Sequence, residues 1–244
     1  MDKYRFLLWT LFYSLVVFSQ QHHGPTVAFL LGKEKQQLKD TFLLNEAAEA
    51  YELMRKAALA DGFTLRVVSS YRTYESQKRI WNKKYKRFTN EGLPPQEAIR
   101  KIIQYSTLPG TSRHHWGTEI DVIDSLPQVV GDVLLEKHFH GGPYTALRIW
   151  LEKHAHQYGY ELVYTQDSLR KGFLYEPWHY SYAPLSRRFL THYLTADAIN
   201  QIAKDTTLLG HQYINLPFIT QYQNEHIMGI AKSLQPLSIP SKGR

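Results

Sequence analysis

The chain has 244 residues, 43% of them hydrophobic, with 17 Tyr, 5 Trp and a formal net charge of +7. That length and apolar content suit one domain, or two small ones, with a sizeable core, and exclude disorder throughout. The lack of cysteine excludes disulfides, thiol nucleophiles and thiolate metal ligands, while the basic balance suits an anionic polymer: nucleic acid, an anionic membrane or the bacterial cell wall.

The N-terminus reads as an export signal. Lys3 and Arg5 precede the apolar run "FLLWTLFYSLVVF", and Val17 and Ser19 suit positions −3 and −1 of a cleavage site. The run is short for a bilayer span, so residues 1–19 are expected to be a cleaved signal peptide, leaving no stable membrane span. Cleavage removes Asp2, Lys3 and Arg5 and leaves a charge of +6. Export makes the protein periplasmic or secreted and favours the wall over nucleic acid, for which no binding motif occurs.

Residues 20–40 read as a polar, irregular entry to one domain spanning 20–236, with 237–244 a loose tail. "NEAAEAYELMRKAALADG" predicts a helix from Asn45, stopped at Gly62. "FTLRVVSS" predicts a strand. "YRTYESQKRIWNKKYKRF" predicts a second helix capped by Thr73, and "PPQEAIRKIIQY" a third, begun by proline. A loop, "STLPGTSRHHWG", leads into a strand "TEIDVI", on which Glu119, Asp121 and Ile123 share one face. "SLPQVVGDVLLEKHFHGGP" reads as an irregular insertion and "YTALRIWLEKHAHQYG" as a helix ending at Gly159. "YELVY" and "WHYSY" predict two more strands, and "TADAINQIAKDTTLL" a late helix. Short strands without regular strand–helix alternation indicate α+β, a small central antiparallel sheet flanked by helices.

Zinc enzymes commonly use three His, Asp or Glu ligands and leave a fourth position for water. The candidates here are His114, Asp121 and His179, with Gly117 allowing the loop to fold back toward the strand. Two imidazoles and one carboxylate leave one Zn²⁺ with net positive charge, which lowers the pKa of bound water to roughly 7. Glu176, three residues before His179, suits a general base that later acts as acid to the leaving amine. Arg72, after the first strand, suits an oxyanion or a substrate carboxylate, with Ser112 and Gln77 adding neutral hydrogen bonds. A structural ion pair between Arg72 and Glu119 is the competing use of that arginine. His115 should point away from His114 and either support the site from behind its ligands or serve packing.

Ser112, His114, Gly117 and Asp121, followed by Glu176-Pro177-Trp178-His179, resemble the zinc D-alanyl-D-alanine carboxypeptidases of the VanY type. The wider group includes VanX-type dipeptidases, peptidoglycan endopeptidases and the hedgehog signalling fold. "SSYRTYESQ" and "WLEKHAHQYGYELVY" resemble further family segments, and the similarity covers roughly residues 45–185. It implies a hedgehog/DD-peptidase-like fold, zinc on His114, Asp121 and His179, Glu176 as acid/base, and substrate contacts from Arg72, Gln77 and Ser112. One departure stands out: Glu119 occupies a point where the family pattern usually has a small or apolar residue.

The sequence therefore reads as an exported zinc metallopeptidase that removes the C-terminal D-alanine from peptidoglycan stem peptides through Glu-assisted attack of zinc-bound water. An L,D-carboxypeptidase, a cross-link endopeptidase and a D-Ala-D-Ala dipeptidase share the chemistry and stay open. A non-catalytic zinc-containing wall-binding module is the rival of another class. Oligomeric state is not legible in the sequence.

Overall fold

A computed structural model describes residues 24–196 and 198–236. The expected signal peptide at 1–19 and tail at 237–244 lie outside the described residues. The chain there forms α1 (Val27–Leu30), α2 (Asn45–Ala60), β1 (Leu65–Ser69), α3 (Tyr74–Asn90), α4 (Pro95–Ile102), β2 (Glu119–Asp124), α5 (Glu136–Phe139) and α6 (Thr145–His154). It continues through β3 (Tyr160–Leu162), β4 (His179–Tyr182), α7 (Ala183–Thr195), α8 (Ala198–Ile202) and α9 (Leu216–Tyr222). The architecture is α+β, with one four-stranded antiparallel sheet of order β1-β2-β4-β3. No helix among the described residues is long and apolar enough to cross a membrane.

Local chemistry explains the helix boundaries. Thr73 caps α3, its side chain accepting from the Ser76 amide, and Pro95 opens α4 at a position where a missing N–H costs nothing. On one sheet face Ile120, Val122, Tyr180 and Tyr182 pack with Ala47, Tyr51 and Met54 of α2 and Leu147 and Leu151 of α6. Tyr160 ties β3 to α2 by donating its hydroxyl hydrogen to the Ala47 carbonyl at 2.7 Å. Alternation sends Glu119 and Asp121 of β2, with His179 and Ser181 of β4, to the opposite face. A second core, built around Trp81, Trp116, Tyr193 and Tyr222, joins α1, α3, α4 and the helices that follow β4.

The structure departs from the sequence expectations at both ends. The entry at 20–40 is not merely polar coil: α1 forms within it, and Leu30 and Leu31 are buried in the second core. The late helix expected over "TADAINQIAKDTTLL" shortens to α8, whereas α7, thirteen residues with no expected counterpart, buries Ser186, Leu190 and Tyr193 on one face. This region is wired to the site loop: the Leu108 amide donates to Tyr222 Oη (3.0 Å) and Tyr193 donates to the Gly110 carbonyl (3.0 Å).

The loop before β2 contains a 3-10 turn, Arg113–Trp116, closed by Gly117 at φ +67°. A Cβ at 117 would stand 3.1 Å from both Gln36 Oε1 and Leu38 Cδ2. Gly117→Ala is therefore expected to lose about 1–2 kcal/mol from the left-handed backbone alone, read as a lowered urea midpoint; an unchanged midpoint would refute this account of the turn.

Candidate metal centre

The register of β2 on β4 sets Asp121 directly opposite His179 and Glu119 opposite Ser181. The turn before β2 brings His114 to the same point. His114 Nε2 lies 3.5 Å from Asp121 Oδ2, and His179 Nδ1 lies 3.9 Å from Asp121 Oδ1. One donor atom from each of the three residues fits within a 4.8 Å span. Tetrahedral zinc bonds of about 2.0–2.1 Å place donors roughly 3.3 Å apart, close to the His114–Asp121 separation and shorter than the span of the three donors together.

Hydrogen bonds orient the rings. His114 Nδ1 donates to the Ser70 carbonyl at 2.6 Å, which leaves the Nε2 lone pair facing Asp121. Burial, then the charges of Arg72 and His179, hold His114 well below its ordinary pKa, so it is neutral. His179 is poised differently. Burial opposes its charge, but bonds to Glu119 and Glu176 and the field of Asp121 outweigh this and push it up to about 10. Burial raises Asp121 to about 7, and its Oδ1 has no hydrogen-bond partner among the described residues. A buried, unbonded carboxylate oxygen beside two aimed imidazoles fits a divalent cation, whose charge substitutes for the proton on His179 and keeps Asp121 ionised.

The surrounding groups form a cleft of about 210 Å³. Glu176 sits on the turn into β4, with its Oε2 3.0 Å from His179 Nδ1. Arg72 also lines the cleft. Its Nη1 donates to Gln77 Oε1 at 2.8 Å and its Nη2 to Ser69 Oγ at 3.0 Å. Burial lowers the Arg72 pKa, partly offset by Asp121 and Glu176. Gln77 is buried, and its Nε2 donates to the Thr107 carbonyl at 2.8 Å, so both ends of its amide are engaged behind Arg72. Ser112 Oγ lines the cleft without a hydrogen-bond partner among the described residues. Trp178 walls one side, packed on Phe139, and Tyr164 stands edge-on to His179.

One alternative weighed from the sequence drops out. The ion pair considered between Arg72 and Glu119 does not form; Glu119 instead pairs with Arg113, whose Nη2 lies 3.3 Å from Oε1. Arg113 stands between two motif residues, and no spacing in the sequence marks it as the cation that a buried Glu119 requires. His115 does turn to packing: its Nδ1 donates to the Arg72 carbonyl (2.6 Å) and its Nε2 accepts from the Gly110 amide (3.0 Å), fixing the loop that carries Arg72. Burial lowers its pKa to about 4 and keeps it neutral.

The arrangement defines a class: an α+β protein with a buried His–Asp–His centre in a cleft on one face of its sheet. The family profile VanY, D-alanyl-D-alanine carboxypeptidase, matches residues 40–185, and the chain belongs to that family. It is 31% identical over 148 residues to the bifunctional D-Ala-D-Ala dipeptidase and D-Ala-D-Ala carboxypeptidase VanXYC of Enterococcus gallinarum, covering 60% of this chain and 70% of that one. It is 29% identical over 151 residues to YodJ of Bacillus subtilis (strain 168), covering 61% of this chain and 49% of that one, so it spans about half that relative's length. A crystal structure of a variant of the vancomycin-resistance D,D-pentapeptidase VanY, in complex with Zn(II), aligns with TM-score 0.49 and 23% identity over 75% of this chain and 89% of that one.

The proton balance predicts how metal affinity follows pH. In the metal-free protein His179 carries a proton up to about pH 10, and a cation must displace it. Affinity for a divalent cation therefore rises with pH, about tenfold per unit between pH 7 and pH 10, levelling off above that, and more steeply below pH 7, where Asp121 is protonated too. Chelator competition across pH checks this; a flat profile would contradict it.

Proposed function

We propose that the protein is an exported zinc metallopeptidase that removes the C-terminal D-alanine from peptidoglycan stem peptides. The observation that carries the reading is the convergence of His114, Asp121 and His179, with Glu176 within hydrogen-bonding distance of that cluster. Membership of the D-alanyl-D-alanine carboxypeptidase family supports the substrate class. Export is supported by the charge and apolar pattern of residues 1–19, and the basic balance suits an anionic wall.

His114 Nε2, an Asp121 oxygen and His179 Nδ1 would hold the ion, and two imidazoles with one carboxylate are a donor set that zinc accepts. Such an ion supplies Lewis acidity, polarising the scissile carbonyl and lowering the pKa of water to roughly 7. Glu176 takes the proton from the attacking water on a carboxylate oxygen and returns it to the departing D-alanine amine. Arg72 is held by Gln77 and Ser69, and the remaining N–H groups of its fork meet the terminal carboxylate or the developing oxyanion. Gln77 thus serves the substrate by holding Arg72 in place. Ser112 Oγ, without a partner in the cleft, offers a hydrogen bond to the peptide. Trp178 shields the site from water.

The test is incubation of the purified protein with a stem pentapeptide ending in D-Ala-D-Ala, reading released D-alanine. Glu176→Gln is expected to lower kcat by roughly 10²–10⁴-fold with zinc still bound, and a strong chelator to abolish turnover. Release that survives both would sink the mechanism. Product masses from tetrapeptide, cross-linked stems and free D-Ala-D-Ala separate this activity from its three relatives. Wall binding without hydrolysis of any stem would favour a non-catalytic module.

A further inference from the structure

Glu119 is an acidic side chain at the site that neither metal ligation nor proton transfer uses, and it is 0% exposed. A carboxylate removed from water needs both oxygens matched. Its Oε1 is saturated: Ser181 Oγ donates at 2.7 Å, Thr118 Oγ1 donates at 3.0 Å, and Arg113 Nη2 lies 3.3 Å away. Its Oε2 faces His179 Nε2 at 3.2 Å. A carboxylate oxygen accepts, and each ring nitrogen faces one, Nε2 towards Glu119 and Nδ1 towards Glu176; a cation held beside Asp121 takes the place of the Nδ1 proton, so the ring proton that remains is on Nε2, bonded to Glu119. Nδ1 is the nitrogen that faces Asp121 and Glu176. The β2–β4 register holds this geometry, because Glu119 and Asp121 stand two residues apart on one face, opposite Ser181 and His179.

We propose that Glu119 is a positioning residue. It fixes the orientation and tautomer of His179 so that Nδ1 is presented to the cation, while Arg113 offsets its charge. Arg113 itself is held by a 2.7 Å bond from Nη2 to Ser181 Oγ and by its guanidinium 4.8 Å from the Trp116 ring. Glu119 stands where the family pattern usually has a small or apolar residue, so the pattern itself assigns it no role. The inference rests on the reading of His179 as a metal ligand and adds to it how the ligand is aimed.

The test removes the ion pair as a unit in the full chain, since deleting Glu119 alone strands a buried guanidinium. Arg113→Leu/Glu119→Gln keeps an acceptor for the Nε2 hydrogen; Arg113→Leu/Glu119→Ala removes it. Zn²⁺ dissociation constants from chelator competition and the absorption spectrum of the Co²⁺ forms are compared, alongside thermal unfolding of the metal-free proteins. The alanine double variant is expected to bind Zn²⁺ roughly 10–100-fold more weakly than wild type, with an altered cobalt spectrum. The glutamine double variant should regain most of the affinity, with both metal-free variants unfolding at similar temperatures. Should the alanine variant not fold, Arg113→Leu/Glu119→Met fills the lost volume, offers no comparable acceptor and takes its place. Wild-type affinity and cobalt spectrum in the variant lacking the acceptor would overturn the proposal, as would equal losses in both variants. A wild-type chain that binds no Zn²⁺ would refute the metal reading itself.

Discussion

Three carboxylates, Glu119, Asp121 and Glu176, gather around His179 where water is largely excluded, and this crowding of charge is the constraint that the site must satisfy. Like charges in a poorly solvated cleft repel, and burial alone penalises each of them. The protein meets the problem from two sides. Arg113 neutralises Glu119 beneath the ring, and Arg72 faces Asp121 and Glu176 across the cleft. What remains is the raised pKa of Asp121 and of His179, a local demand for one more cation. A divalent ion meets that demand while drawing on the three donors already aimed at one point.

Such a cluster needs a scaffold that does not relax around it. The sheet supplies one through a division of its faces. Ile120, Val122, Tyr180 and Tyr182 bury one face on α2 and α6, so neither β2 nor β4 can slip by a residue without turning apolar side chains into the charged site. On the other side, the loop bearing His114 is held from several directions: Trp116 Nε1 donates to the Leu30 carbonyl, the Arg72 amide to the His114 carbonyl, and Tyr193 to the Gly110 carbonyl. Residues as distant as Leu30 and Tyr222 thus help to place a donor atom between β2 and β4. The helices after β4 are part of this support, since they share one continuous core with α1, α3 and α4.

Much of this was legible in the sequence wherever the signal was local. The helix from Asn45, the Thr73 cap and the Pro95 start are decided by residues within one turn, and they appear where the sequence puts them. The same holds for His114 and Asp121, which belong to one turn and the strand that follows. What escaped was non-local. The Arg113–Glu119 pair looks like two unrelated surface charges until the strand buries both. Gln77 reads as a direct substrate contact until Arg72 and Thr107 are found to engage both ends of its amide. Helix α7 has a buried stripe of Ser186, Leu190 and Tyr193 that is too mixed to announce itself, because its apolar partners come from the far end of the chain.

The sequence by itself determined the chemical inventory: no thiolate, two histidines and an aspartate at telling spacings, a glutamate three residues before the second histidine, and short strands that call for an antiparallel sheet. Only the tertiary structure decided which imidazole nitrogen faces the site, which arginine answers which carboxylate, and how deeply each charge is buried. Spacing fixes residue types and faces, because backbone geometry repeats every few residues. Tautomers, ion pairs and proton affinities depend on the few ångströms between side chains that are distant in the chain, and those distances exist only after the cores on the two sides of the sheet have closed.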